Sequence, residues 1–285
     1  MTVLALNRTP RSRGLLVAGP RTYAALTATA LVFLLPFYYL VVAASRPMAE
    51  MAQSPPPLTP GPLLFSNVAK ALDQQNIGLA LVNSLVVAGV VTLSTVLLCT
   101  LAGYAFAKLR FRGRGPLFAL AVGTMMIPPS LGVVPLYSLM VALGLAGSLA
   151  SVILPSLVAA FGVFFMRQYL VQALPDELLD AAKVDGATAL RTVWSVVLPI
   201  ARPGMAVLAM LTFMASWNDF FWPIIALNST NPTVQVALNN LGGGYVPDQS
   251  IILAGTLIGT LPVLVVFALL GRQVVSGIIA GAVKG

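Results

Sequence analysis

Half of the carboxylates in this chain fall within ten residues. Only eight of its 285 residues are acidic, and Asp176, Glu177, Asp180 and Asp185 share the stretch "DELLDAAKVD". Little else in the sequence can do chemistry. Histidine is absent, which excludes a Ser-His-Asp arrangement, a histidine base and histidine metal ligands. Lys70, Lys108, Lys183 and Lys284 are followed by Ala, Leu, Val and Gly, so no phosphate-cradling loop of the Gly-x4-Gly-Lys-Ser/Thr type exists. Cys99 is the single cysteine and lies in an apolar run, so it builds neither a disulfide framework nor a redox motif. No catalytic residue, metal site or bound cofactor is expected, and the chain does not read as an enzyme. If it moves a solute uphill, the energy comes from an ion gradient or from a separate ATPase.

The acidic cluster carries its own local structure. Pro175 suits the first turn of a helix, and Asp176 and Glu177 complement the positive end of the helix dipole. Leu178, Leu179 and Ala182 recur at near-helical spacing and predict one apolar face. Gly186 can take the left-handed cap conformation, and Thr188 can cap a second helix that runs to Val197, before Pro199. The product is a helix, a sharp turn and a second helix, which makes a lever. Such a segment also reads as an amphipathic helix lying on lipid headgroups. Against that, four carboxylates would face an anionic surface, while Ala181 and Ala182 offer a narrow surface suited to insertion into a protein cleft.

The elements that must position this lever are membrane spans. With 58% hydrophobic and 8% charged residues, the chain cannot cover a soluble globule of its size with polar groups. A span needs roughly 20 mostly apolar residues. Six are expected: Thr22–Ser45, a run between Asp73 and Lys108, a helix ending near Ile127 ahead of Pro128 and Pro129, Leu149–Met166, Pro203–Leu227 and Ser250–Gly271. Fourteen of the sixteen lysines and arginines lie on one side of this arrangement, leaving only Arg46 and Lys70 on the other. The asymmetry places both termini in the cytoplasm. The net charge of +8 follows from topology and anionic lipid and requires no nucleic acid. The basic N-terminus followed by an apolar run also resembles a cleavable signal peptide, but the run exceeds the roughly 7–15 residues of a signal core. The expected fold is an all-α membrane protein. Its parts are a cytoplasmic segment 1–21, a six-helix transmembrane domain 22–271 that includes the lever segment 167–199, and a cytoplasmic tail 272–285.

At this point the residues resemble a known family. "DAAKVDGA" followed by "VVLPIARPG" is similar to the EAA signature of permease subunits in ABC-type importers. Asp180, Ala181 and Ala182 match its acidic-Ala-Ala start, Asp185, Gly186 and Ala187 its Asp-Gly-Ala, and Leu198 and Pro199 its Leu-Pro. Asp180 departs from the glutamate usual there, with the same charge on a shorter arm. "NSLVVAGVVTL", "GYAFAKLRFRGR", "MMIPP", "FMASWNDFFWP" and "GIIAGAVKG" extend the resemblance to carbohydrate-importer permeases, in particular the second permease subunit of maltose-type systems. The resemblance implies a multi-pass subunit of a bacterial inner membrane. Its implied partners are a second, different permease, two ATP-binding subunits that use ATP and Mg, and an external solute-binding protein. It further implies that the loop around Gly186 docks on the ATPases and that the tail makes a second contact with them.

"SWNDFFWP" supplies candidates for the substrate path. Trp217, Phe220, Phe221 and Trp222 offer flat apolar faces for sugar C–H surfaces, and Asn218 and Asp219 offer partners for hydroxyls. The same residues also read as an interfacial aromatic belt with a polar pair holding helices together. Counting from Pro203 puts Asp219 in the outer half of its span, and Pro223 is expected to kink the helix beyond it. The tail is too glycine-rich for a strong helix. Proline-rich external connections around 46–75 and 228–249 suit contact with a binding protein. A di- or oligosaccharide is the expected substrate. Glycerol-3-phosphate or a polyol is the alternative, and an ion-coupled carrier or a membrane scaffold is disfavoured by the docking loop and by the scarcity of carboxylates in the spans.

Overall fold

The computed structural model describes residues 19–243 and 247–282, with side chains as far as Gly271. The regular structure of the described residues is helical, apart from one isolated bridge between Gly147 and Leu227. Fourteen α-helices follow in order. Helix α1 (Pro20–Ala44) leads outward to α2 (Met48–Met51) and α3 (Leu64–Gln74), and α4 (Ile77–Lys108) returns. Helices α5 (Arg114–Gly123) and α6 (Val133–Ala142) precede α7 (Ala150–Ile153) and α8 (Ala160–Ala173). Helices α9 (Asp176–Val184) and α10 (Ala189–Thr192) form the lever and feed α11 (Leu198–Trp217). Helices α12 (Phe221–Ala226) and α13 (Val234–Leu241) cap the outer side before α14 (Gln249–Ala282) crosses back.

Five helical stretches are long and apolar enough to cross a membrane, and a sixth candidate is a pair bent by 92°, Arg114–Met126 with Pro129–Ala142. The third helix ends at Met126, as expected ahead of Pro128 and Pro129; the second limb of the pair, Pro129–Ala142, was not expected. Pro128 and Pro129 supply no N–H, and the chain turns at them.

Helix α4 is the axis of the bundle, packed along α8 and α11 and reached at its outer end by α3 and α13. Close approach depends on a small residue at the crossing. A Cβ on Gly103 would lie 2.8 Å from the Arg167 amide nitrogen. Around it Val96, Cys99, Met166, Leu170 and Leu208 form the innermost cluster. Lipid offers no hydrophobic driving force between helices, so this contact-dense packing and a few polar ties hold the bundle. Asn83 Nδ2 donates to Pro232 O at 3.0 Å, and the Val234 amide donates to Ser84 Oγ at 2.8 Å, fastening α13 to α4. The Asn67 amide donates to Ala44 O at 2.9 Å and so satisfies a carbonyl left open at the end of α1.

Two further boundaries differ from expectation. The fourth span runs Ala150–Ala173, interrupted between α7 and α8 and continuing past Met166 and Arg167 because nothing breaks α8 before Pro175. The fifth runs Ala189–Trp217 in place of Pro203–Leu227. It passes straight through Pro199 and Pro203, with a π-helical turn at Val193–Val197 immediately before Pro199. The wider turn shifts the hydrogen-bond pattern where a proline ring would press on the preceding carbonyls. Helix α14 likewise continues to Ala282, where the tail was expected to lose helicity; its glycines lower propensity without ending the helix.

Candidate functional site

The lever lies at the inner end of the bundle. Helix α9 begins after Pro175 and buries Leu179 in the cluster that holds Ala107, Leu170, Leu174 and Val197; Ala182 is buried as well. Leu178 is outside that face, 44% exposed, and Ala181 is exposed too, so the expected apolar face narrows to Leu179 and Ala182. Burying Ala182 in its own chain also corrects the idea that both alanines enter a partner cleft.

The turn closes as the motif requires. Gly186 has φ +70°, its amide donates to Lys183 O at 3.0 Å, and the Ala187 amide donates to Ala182 O at 2.9 Å. These two bonds make a Schellman cap, which explains why Asp185, Gly186 and Ala187 occur as a unit. Thr188 Oγ1 then accepts from the Arg191 amide at 3.3 Å and starts α10. The second helix does not stop before Pro199. It merges with α11, so Leu198 and Pro199 sit inside the fifth span and the lever is continuous with the membrane.

Two ion pairs fix the first helix. Lys108 Nζ, at the end of α4, meets Asp176 Oδ1 at 2.7 Å, and Lys183 Nζ meets Asp180 Oδ1 at 2.8 Å. The hydrogen bond from Lys108 holds the Asp176 carboxyl below its usual range, and Asp180 raises the Lys183 ammonium above its own. A cleft of about 590 Å³ opens here, lined by Lys108, Arg110, Arg114, Asp176, Asp180 and Lys183 among others. Arg114 bonds the Ala107 and Leu109 carbonyls at the end of α4. The role of Lys108 has no local signal in the sequence, because its partner lies sixty-eight residues away. Val184, Leu190 and Trp194 project from the lever at 88%, 71% and 65% exposure. Their shared exposure had no signal in the sequence.

The outer candidates divide. Trp217 is 1% exposed, stacks on Phe213 and donates its indole N–H to Gly259 O at 3.0 Å. Trp222 is buried and donates to Ser151 O at 3.0 Å. Both were expected to offer faces to a sugar, and both instead lock helices with their polar edge satisfied, as buried tryptophans require. Asn218, Asp219 and Phe220 form the break between α11 and α12. Asn218 donates to Met214 O at 2.8 Å, Asp219 Oδ1 accepts from the Trp222 amide at 3.5 Å, and Phe220 is partly exposed. The helix breaks at these residues, ahead of Pro223, which is buried within α12 and makes no kink of its own.

Residues 99–276 match the family described as binding-protein-dependent transport system inner membrane component. The chain belongs to that family. It is accordingly a multi-pass permease of an inner membrane, and the lever around Gly186 falls within the matched segment. Among its relatives are the lactose transport system permease protein LacG of Rhizobium radiobacter, 33% identical over 92% of this chain and 95% of the relative. The arabinooligosaccharides transport system permease protein AraQ of Bacillus subtilis is 32% identical over 90% of this chain and 92% of the relative. The sn-glycerol-3-phosphate transport system permease protein UgpE of Yersinia pestis is 32% identical over 87% and 92%. A chain of a bacterial ABC transporter involved in import of the acidic polysaccharide alginate shares the fold, with a TM-score of 0.74 at 22% identity over 94% of this chain and 99% of that one.

Proposed function

We propose that this chain is the transmembrane permease subunit of an ATP-driven importer of carbohydrate, a di- or oligosaccharide. It forms half of the translocation pathway beside a second, different permease. Two ATPase subunits supply the ATP and Mg chemistry, and an external binding protein delivers the sugar. The permease performs no covalent step; its task is to convert a push on the lever into opening of the bundle. The observation that carries this reading is the apolar tip of the lever. Val184 and Leu190 flank a capped turn at 88% and 71% exposure at the inner end of the bundle, among charged residues, where insertion into a protein partner would remove them from water. Relatives that transport lactose and arabinooligosaccharides support a sugar, while the sn-glycerol-3-phosphate relatives favour a phosphate.

Asn218, Asp219 and Phe220 are proposed to line the outer mouth of the path, and the connections around 46–75 and 228–249 to meet the binding protein. The tail 272–285 is proposed as a second ATPase contact; residues 283–285 and the segment 1–18 lie outside the described residues. Reconstitution decides the matter. Vesicles holding the permease pair, the ATPases and the binding protein should accumulate labelled disaccharide only with ATP. Accumulation by this chain alone on an ion gradient, or of sn-glycerol 3-phosphate in preference to sugar, would replace the reading.

A further inference from the structure

We propose that Lys108 is a positioning residue that latches the lever to the central helix, so that motion of α9 is delivered to the outer cap through α4. This rests on the importer reading above. Lys108 is the last residue of α4, and its side chain is only 10% exposed, whereas that of its partner Asp176 is 75% exposed. A lysine whose side chain is mostly covered, with one carboxylate at 2.7 Å at the mouth of the cleft, is a directional tie. If Asp176 swings away, the ammonium loses its one carboxylate partner, so separation of α9 from the end of α4 is opposed. Leu179 packs in the same region, in the cluster containing Ala107, so polar and apolar contacts converge on one turn of α4.

The opposite end of α4 is tied with equal directness. Asn83 holds Pro232 O and Ser84 holds the Val234 amide, both buried. Between Ser84 and Lys108 the helix has no break, and at about 1.5 Å per residue it spans about 36 Å. A continuous helix anchored at both ends transmits displacement without needing a chain of side-chain rearrangements. No other tie of this kind joins α9 to a span among the described residues: the second ion pair of α9, Lys183 with Asp180, is internal to it.

The test uses the assembled complex and reads sugar transported per ATP hydrolysed. Lys108→Met keeps the apolar stem and removes the charge; Asp176→Asn removes the carboxylate; Lys108→Arg keeps the pair. Expected are co-purification with all partners in each case, a loss of at least about threefold in sugar per ATP for Lys108→Met and for Asp176→Asn, with Lys108→Arg close to wild type. A ratio unchanged by Lys108→Met overturns the latch and leaves the importer reading standing, whereas a wild-type complex without ATP-driven uptake removes that reading. Amide hydrogen exchange in the solubilised chain provides an arm independent of transport. Residues 176–186 should exchange roughly fivefold faster in Lys108→Met, and equal rates would overturn the latch on their own.

Discussion

At the scale of single residues, Gly186 and Asp176 show what a sequence reveals and what it withholds. Gly186 was legible because its constraint is local: a helix ending in Asp-Gly-Ala with φ +70° at the glycine needs no knowledge of the rest of the chain. A Cβ there meets nothing within 4 Å, so substitution acts through the backbone alone. Gly186→Ala should cost about 1–2 kcal/mol of the turned conformation, and Gly186→Asn less, because asparagine tolerates the left-handed region. Stimulated ATPase activity of the complex should therefore fall in the order wild type, Asn, Ala. Asp176 was legible as a dipole-complementing residue, but its partner across sixty-eight residues was not. Its carboxyl is held below the ordinary value of 3.8 first by the hydrogen bond from Lys108. The pair is thus complete above that value and is lost only as pH falls through the lowered one. The Lys183 ammonium, raised by Asp180, keeps its pair until pH climbs beyond the ordinary 10.5. Both ties are closed at neutral pH. Carbon-detected titration of labelled aspartate should find Asp176 below 3.8 in the wild type and moved upward in Lys108→Met.

At the scale of elements, the fifth span shows why a proline is read too strongly from sequence. Pro199 and Pro203 mark breaks in a helix considered alone, yet the fifth span continues through both: the π turn at Val193–Val197 precedes Pro199, which sits in the first turn of α11, and Pro203 is carried inside α11. The lever is consequently one piece with the span. The same helix depends on a close approach that spacing alone could not locate: a Cβ on Gly204 would lie 2.8 Å from the ring of Tyr169. That ring has little freedom to retreat, since its hydroxyl donates to Ile200 O at 3.4 Å on the same helix. Gly204→Ala should force α8 and α11 apart and cost about 1–3 kcal/mol, read as a lower Tm of the detergent-solubilised chain. Gly78→Ala is the control, because nothing lies within 4 Å of a Cβ there. The outer tryptophans teach a related lesson. "SWNDFFWP" looks like a row of faces, but the break at Asn218–Phe220 sends Trp217 and Trp222 into the chain's own packing, and that direction depends on Gly259 and Ser151 far along the sequence.

At the scale of the whole molecule, the bent pair α5–α6 is the part of the bundle that this chain leaves most incomplete. From Arg114 to Met126 the helix rises about 20 Å, short of the roughly 30 Å of a hydrocarbon core, before the chain turns by 92°. The turn thus lies at membrane depth, with Met126 at 86%, Ile127 at 60% and Leu131 at 71% exposure. Irregular backbone cannot face lipid there, because acyl chains offer nothing to its free N–H and C=O groups. Helix α1 differs: Leu31 and Val32 are also about 60% exposed, but on an unbroken helix whose backbone is satisfied internally. Composition could not separate these two kinds of apolar exposure, since both read as span; the bend separates them. A nitroxide-bearing lipid in vesicles holding the complete importer should therefore broaden a reporter at position 32 and spare one at position 127. The same lipid with this chain alone should reach both. Equal broadening at position 127 in both preparations would mean that the turn meets lipid in the working complex, and the packing of a second permease against α5 and α6 would have to be abandoned.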